Sequence, residues 1–262
     1  MKQFFFLLYA AAALVGCNNG TKAKTEQAAT VMNSDLLQQN LKGKVKSITE
    51  TSSTIDSTGN EKPDSLTTYT SFDEKGYQTV SMTKNSAGKV TTEQFASRND
   101  SGIVTEFGTK KNGQVFSRVV TEFDKDGKYI GGKSYDSTGK QDGYYKDLAQ
   151  NEYSIVYAGK RYGLNNKLKE TFDMKYDKNH FLGGKSTDST GKVTYEGTAK
   201  VNDKGDMSEE DYTYVENGKS KSEKKTYKYD NYDDKGNWTQ RTTYNDKGKR
   251  TQVVKRSFTY YD

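Results

Sequence analysis

The sequence lacks most of what a deep core or a catalytic centre requires. Its 262 residues include one Cys, one His, one Pro and one Trp, and hydrophobic residues make up 31%. A single Cys excludes an internal disulfide framework, and a single His excludes a metal site with two histidine ligands. Because ordinary globular domains are about 45–50% apolar, this chain is not expected to fill a thick two-layer core.

No group of residues points to catalysis. His180 has no second His or free Cys to work with, and we predict that it is a turn or sheet-surface residue. The carboxylate pairs Asp124/Asp126 and Asp233/Asp234 would suit a glycosidase or Ca²⁺, but Asp at these positions is already required by turns. We therefore predict a non-enzymatic protein with no metal and no cofactor.

The N-terminus has the features of an export signal. Lys2 supplies the positive charge, residues 4–15 are almost wholly apolar, and Cys17 follows. The apolar run is about a dozen residues long, shorter than the roughly 18 that a membrane-spanning helix needs. The segment resembles a bacterial lipoprotein signal, which implies cleavage before Cys17 and acylation of that residue, the lipidation site.

We expect three parts along the chain. Residues 1–16 form the signal peptide, 17–31 a lipidated flexible tether, and 32–262 a β-repeat domain. In the lipoprotein family, an Asp after the acylated Cys retains the protein at the inner membrane, so Asn18 favours the outer membrane. The tether lacks an acidic run that would signal surface display, which favours the periplasmic face. The expected partner at this end is the membrane, through acyl chains on Cys17.

One turn pattern recurs about every 13 residues from Asp56 to the end of the chain. Its first residue is Asp or Asn and its fourth is Gly, which is the preference of a type I turn that closes a hairpin. The clearest copies lie at residues 56–59, 73–76, 85–88, 99–102, 124–127, 136–139, 188–191, 202–205, 233–236 and 245–248. A fixed period of one strand plus one turn indicates a β-repeat protein.

The segments between these turns have the character of strands. Residues 193–201 alternate between apolar and polar, and 20 Tyr and 11 Phe supply aromatic side chains that favour sheets. Residues 32–41 predict a short helix, Pro63 a loop or an edge position, and the pattern blurs over residues 140–190, where helical breaks would fit.

The predicted fold is all-β. We expect about 15 antiparallel strands in sequential order, a long β-meander. With so little apolar material, the sheet is predicted to be an open, curved single layer or a loosely rolled one. A closed barrel is the alternative, because it would remove both edges but needs a filled or wet interior.

Several units carry an aromatic-Asp-x-x-Gly core at the turn. Residues 123–127, 135–139 and 232–236 are examples, and they resemble YD (Rhs-type) repeats. The resemblance covers most of the chain after about residue 65, where it implies architecture far more than function. The chain as a whole also resembles the small repeat-bearing lipoproteins of Gram-negative envelopes.

Aromatic residues crowd the C-terminal part of the repeat domain. They suit sugar rings and protein partners alike, or they form the sheet's own thin core. The candidate ligand-binding residues are Tyr212, Tyr214, Tyr227, Tyr229, Trp238 and Tyr244.

Two functions follow from these observations. The first is a lipid-anchored scaffold or protein-interaction surface in the cell envelope. The second is a glycan-binding module, which predicts a solvent-exposed Trp238. The 41 basic and 35 acidic residues are interleaved, which cross-strand pairing explains, so we predict no nucleic-acid partner.

Overall fold

The computed structural model describes residues 34–262 except 101, 126 and 154. The predicted signal peptide and tether, with Cys17, lie outside the described residues. The helix is α1 (Asp35–Gln38), and the strands are β1 (Val45–Ile55), β2 (Glu61–Phe72), β3 (Gln78–Asn85), β4 (Val90–Arg98), β5 (Val104–Lys111), β6 (Gln114–Phe123), β7 (Tyr129–Tyr135), β8 (Gln141–Gln150), β9 (Val156–Gly163), β10 (Leu168–Asp177), β11 (His180–Asp188), β12 (Val193–Val201), β13 (Met207–Glu216), β14 (Lys219–Tyr232), β15 (Trp238–Asn245) and β16 (Arg250–Tyr260).

The turn at residues 136–140 shows why the repeat folds as hairpins. The Asp136 side chain accepts hydrogen bonds from the backbone N–H groups of Thr138 (2.8 Å) and Lys140 (3.2 Å). The N–H of Gly139 donates to the backbone carbonyl of Asp136 (3.0 Å), and Gly139 has a φ of +79°. The Asp/Asn and Gly positions of the repeat therefore satisfy the turn locally.

The sheet closes on itself. Each strand pairs with its neighbours in sequence, as the repeat predicts, and β1 also pairs with β16, for example Ile48 with Phe258. The prediction of an open or loosely rolled sheet of about 15 strands is therefore wrong: the structure is a closed antiparallel barrel of 16 strands. Closure satisfies the backbone groups of the two strands that an open sheet would leave as edges.

The blurred region contains strands throughout. Residues 141–188 form β8 to β11, and Asn166 (φ 58°) and Lys178 (φ 55°) take the left-handed positions that Gly takes elsewhere. Pro63 pairs with Ser53 of β1, and the pairing of β2 with β3 begins only at Leu66. Pro63 thus lies on a free side of β2, where its missing N–H does no harm.

The predicted short helix is present as α1. Ser34 caps it, since its side chain accepts a hydrogen bond from the N–H of Leu37 (3.3 Å). Among the described residues there is no helix with the length and apolar character that a membrane crossing requires.

Candidate functional site: the lumen and the two mouths of the barrel

The two faces of the strands differ in chemistry. Alternate residues on β10 to β13 carry exposed charged side chains, such as Lys175, Lys185 and Glu196. The residues between them include buried Met174 and Tyr195. We therefore assign the aromatic face to the lumen and the charged face to solvent.

The outward face does not resemble that of a lipid-embedded barrel. Transmembrane barrels present an apolar band to the bilayer, whereas the outward strand positions here carry ion pairs. Examples are Lys110 with Glu93 (2.7 Å) and Lys133 with Glu122 (3.1 Å). We expect this surface to contact water.

The lumen has two unlike halves. The inward positions of β2 to β7 are mostly small, with Thr70, Ser81 and Ser134 as examples. The inward positions of β8 to β16 hold large side chains, among them Tyr145, Arg161, Phe172, Tyr212, Tyr227 and Arg256. Amphipathic side chains with long apolar portions thus fill part of the interior, which is how a chain poor in aliphatic residues closes a barrel.

One mouth of the barrel is plugged by the segment before β1. The backbone N–H of Leu36 donates to the carbonyl of Gly76 (3.2 Å), beside β3. The Asn179 side chain, beside β11, donates to the carbonyl of Leu37 (2.6 Å). Since β3 and β11 are eight strands apart around a ring of 16, α1 reaches across the mouth from one wall to the other. We call this the plugged end, and the opposite mouth the open end.

Further hydrogen bonds hold the plug along its length. The Asn40 side chain donates to the carbonyl of Lys204 (3.0 Å) and to the carboxylate of Asp206 (2.8 Å). The Asn237 side chain accepts from the N–H of Lys42 (2.7 Å) and donates to its carbonyl (2.8 Å). The plug is therefore part of the folded domain.

A buried ion pair anchors α1. The Asp35 carboxylate accepts hydrogen bonds from the Arg98 guanidinium (2.8 Å) and from the N–H of Gln78 (2.5 Å). Arg98 also lies over the ring of Tyr77, 4.6 Å from its centroid. Burial raises the pKa of Asp35 in spite of Arg98, so the cost of removing the carboxylate from water exceeds the attraction within the pair.

An apolar cluster lies beneath the plug. Leu41, Val45, Ile48 and Phe72 are buried and in contact, with Val45 fully inaccessible, and Leu36 packs against them. Burial is possible here because α1 supplies the second layer that a sheet needs.

The open end has no such cover among the described residues. Leu66, which lies on the inward face of β2, is 46% exposed, whereas Phe72 on the same face, at the plugged end, is 2% exposed. The lumen is therefore accessible to solvent from the open end.

An aromatic ladder lines the lumen next to the open end. The rings of Tyr195 and Tyr212 are 6.4 Å apart, and those of Tyr212 and Tyr214 are 5.9 Å apart. Glu223 accepts hydrogen bonds from both Tyr212 and Tyr214 (2.9 Å each), and Lys225 lies 2.7 Å from Glu223. The hydrogen bond from Lys225, followed by those from the two tyrosines, lowers the pKa of Glu223 to about 2.

The other predicted aromatic residues divide between the faces. Tyr227 and Tyr229 point into the lumen, where burial raises the pKa of Tyr229 to about 12. Trp238 is 7% exposed, with its ring 5.6 Å from that of Tyr229 and under the guanidinium of Arg256 at 3.6 Å. Tyr244 falls on the outward face.

Five of the six predicted residues therefore share the lumen, and Tyr244 does not. The prediction that a glycan platform would expose Trp238 is wrong, because Trp238 belongs to the interior packing.

Sequence reasoning missed Glu223 and Lys225. The signal was present, since the two-residue turn at Asn217-Gly218 pairs Glu216 with Lys219, and counting back from that pair places Tyr212 opposite Glu223.

The acidic residues that we assigned to turns bond within those turns. Asp233 accepts hydrogen bonds from the N–H groups of Lys235 (3.1 Å) and Asn237 (2.8 Å) within its own turn. Half-buried His180 begins β11 at the plugged end, and burial lowers its pKa. Among the described residues, no three His, Cys, Asp or Glu side chains are placed to hold a metal ion.

The residue that follows the turn differs between the two ends. At the plugged end it is most often buried, as in Tyr77, Ile155, Asp206 and Asn237. At the open end it is an exposed lysine in six turns: Lys89, Lys140, Lys167, Lys192, Lys219 and Lys249. Successive turns of a meander alternate between the ends, so this difference was visible in the sequence as an alternation along the repeat.

No protein-family model matches the sequence, and no curated protein matches it. Among solved structures, a porin-like protein from Bacteroides uniformis is similar, with a TM-score of 0.53 and 13% identity over 82% of this chain and 98% of that chain. At this identity the likeness shows a shared fold and nothing more.

Two further solved structures resemble the chain more weakly. A TcdB2-TccC3-Cdc42 structure matches with a TM-score of 0.35 and 13% identity over 78% of this chain and 11% of that one. A DUF1329 family protein from Desulfovibrio piger matches with a TM-score of 0.25 and 12% identity over 88% of this chain and 90% of that one. This chain spans about a tenth of the first of these two proteins, and neither likeness carries an argument about fold.

Proposed function

We propose that this chain is a non-enzymatic, lipid-anchored protein of the cell envelope whose barrel presents its open end to a binding partner. The observation that supports this most is that the chain enters the barrel through the plug, as Leu36 and Leu37 bridge opposite walls of one mouth. An anchor on Cys17 would therefore hold the plugged end towards the membrane. The open end would then point away from it.

The proposed anchor belongs to the outer membrane, on its periplasmic face. Support comes from the lipoprotein-like segment that ends at Cys17 and from Asn18 after it, with acylation giving stable attachment only if two or more chains are present. The shared fold with a porin-like protein is compatible with this location. The charged outward face favours a barrel that stands on the membrane by its anchor.

The orientation can be tested in lipid vesicles. The lipidated protein would carry a single added cysteine with a fluorophore, at Glu74→Cys on the plugged end or at Ser137→Cys on the open end. Both positions are exposed. We expect a quencher attached to lipid headgroups to reduce the fluorescence at position 74 much more than at position 137. Equal quenching at both positions would contradict the proposal, and a Cys17→Ser variant that stays on the membrane would contradict the anchor.

A second candidate is glycan capture at the open end. The ladder of Tyr195, Tyr212 and Tyr214 favours it, because its tilted rings end at half-buried Tyr214, which presents part of an aromatic ring to the lumen next to the open end. A glycan array with the wild type, Tyr214→Ala and Tyr244→Ala tests it. Glycan binding should be lost with Tyr214→Ala and retained with Tyr244→Ala, since Tyr244 lies on the outward face. Glycan binding that is unchanged in both variants would show that the ladder is not the binding site.

A further inference from the structure

Five consecutive turns at the open end place a lysine at the same position. These turns join β7 to β8, β9 to β10, β11 to β12, β13 to β14 and β15 to β16. The lysines are Lys140, Lys167, Lys192, Lys219 and Lys249, which we call the lysine arc, and all five are exposed. The arc covers the same side of the barrel as the aromatic half of the lumen.

Among the described residues, no ion pair joins an arc lysine to a carboxylate. The ion pairs at this end of the described structure join other groups, such as Lys62 with Asp56 and Arg250 with Glu61. The carboxylates of Asp136 and Asp188 accept hydrogen bonds from Thr138 and Thr190 within their turns. These bonds, with a smaller contribution from the nearby charges of Lys140 and Lys192, lower the pKa of the two carboxylates, but neither lysine forms an ion pair with them. The arc ammonium groups are thus available to an external anion.

The spacing of the arc is regular. Neighbouring strands lie about 4.8 Å apart, so turns two strands apart recur about every 10 Å around the mouth. Five positive charges at this interval form a curved track rather than a single pocket. Such a track fits an extended polymer that carries negative charges at intervals along its length.

Uncharged features beside the track indicate the kind of polymer. Tyr212 and Tyr214 line the lumen where the hairpin of β13 and β14 borders the mouth, and Lys219 directly follows the turn of that hairpin. The hydroxyls of both tyrosines donate to Glu223, and the half-buried ring of Tyr214 near the arc ammonium groups suits a sugar ring that carries a carboxylate. Tyr195 and Tyr212 are 8% and 9% exposed, so the half-buried ring of Tyr214 is the part of the ladder that a ligand can meet. Single-stranded DNA, which also carries regularly spaced negative charges, therefore serves as a comparison in the test.

We propose that the lysine arc binds an acidic polysaccharide along the open rim of the barrel, with its carboxylates on the arc lysines and its sugar rings beside the tyrosine ladder. This inference rests on the proposed function, because it identifies the partner that the open end would meet away from the membrane.

The test uses the mature domain from residue 18 onward, with polygalacturonate as the probe and neutral dextran and single-stranded DNA as comparisons. Binding would be measured by affinity electrophoresis or calorimetry at about 50 mM and about 300 mM salt, because screening weakens exposed charge pairs. In the rim variant, the five arc lysines become Gln.

A matched control variant changes five exposed lysines of the plugged end to Gln, so that both variants have the same net charge. These are Lys75, Lys125, Lys128, Lys178 and Lys235. Circular dichroism and thermal unfolding would establish that both variants fold.

We expect polygalacturonate binding that weakens at least tenfold in the rim variant and less than threefold in the control variant, with no binding of dextran. Equal weakening in both variants, absence of polygalacturonate binding, or equal binding of DNA would each overturn the inference. The vesicle experiment is independent of this one: an open end directed away from the membrane with no polysaccharide binding would remove the inference and leave the proposed function standing.

Discussion

The two mouths of the barrel use the same turn but surround it differently. Gly205 at the plugged end and Gly191 at the open end have φ values of +81° and +82°. A Cβ on Gly205 would lie 2.6 Å from Nε2 of His180 and 3.1 Å from Oδ1 of Asn40, whereas one on Gly191 would meet nothing within 4 Å. The repeat therefore sets the backbone at both ends, and tertiary packing by the plug makes them different.

This difference separates stability from function. The plugged end has the apolar cluster and the buried ion pair, while the open end has the exposed lysines and half-buried Tyr214. We expect substitutions at the plugged end to change unfolding free energy and those at the open end to change binding. Each prediction below pairs one position from either end.

The largest effect should come from the core beneath the plug. Phe72→Ala should lower the free energy of unfolding by about 3–5 kcal/mol, because it removes a buried aromatic side chain and leaves a cavity. Leu66→Ala, on the same strand and face, should cost about 1 kcal/mol or less because Leu66 is already 46% exposed. Urea unfolding of both variants provides the measurement, and similar losses would mean that the two ends are equally packed.

The ion pairs should show the same contrast. Asp35→Ala should cost about 3 kcal/mol, because it leaves the Arg98 guanidinium buried without its partner. Glu61→Gln, which removes the half-exposed pair with Arg250 at the open end, should cost about 0–1 kcal/mol. Thermal unfolding would compare these variants with Asp35→Leu/Arg98→Met. The double variant should be more stable than Asp35→Ala, and a less stable one would show that the pair itself stabilises the plug.

Replacing a turn glycine at each end separates the stability that comes from contact with the plug from the stability that comes from the turn backbone. Gly205→Ala and Gly191→Ala should both lose about 1–2 kcal/mol from the left-handed backbone. Gly205→Ala should lose about 1 kcal/mol more, since its methyl group would press on His180. Chemical unfolding of the two variants gives this difference directly. If both variants lose the same free energy of unfolding, the contact between the turn and His180 does not contribute to stability.

Acid should produce the smallest effect, with opposite signs at the two ends. The pKa of Glu223 is lowered from 4.5 to about 2, so its stabilisation is present above pH 4.5 and is lost as the pH falls towards 2. The pKa of Asp35 is raised from 3.8, so its contribution to stability is largest below pH 3.8 and decreases as the pH rises through the raised value. Carboxylate NMR titrations would measure both, with Lys225→Gln raising the Glu223 midpoint. A Glu223 midpoint near 4.5 in the wild type would rule out the hydrogen-bonded cluster.

Local chemistry made most of the strands predictable from the sequence. The Asp/Asn and Gly turns are satisfied by their own backbone, as in residues 136–140, so hairpins follow without reference to the rest of the chain. Closure was not predictable in this way, because the pairing of Val45 with Tyr260 joins the two ends of the domain. No local pattern reports such a contact.

The candidate site was partly predictable for the same reason. Period-two alternation and the two-residue turn at Asn217-Gly218 are enough to place Tyr212 opposite Glu223. Trp238 lies under Arg256 of the neighbouring strand of its own hairpin, but that its ring faces an enclosed lumen follows only from closure. Which mouth is covered depends on where residues before β1 pack, which is a property of the whole fold.

A disulfide between β1 and β16 would show whether the barrel is closed. The hydroxyls of Ser47 and Thr259 are 2.7 Å apart across this seam, and those of Thr213 and Ser222 are 2.8 Å apart within one hairpin. With Cys17 removed, we predict that Ser47→Cys/Thr259→Cys forms an intramolecular disulfide as readily as Thr213→Cys/Ser222→Cys in monomeric protein. Cross-linking of the hairpin pair alone, with the seam pair remaining reduced or joining separate molecules, would contradict it.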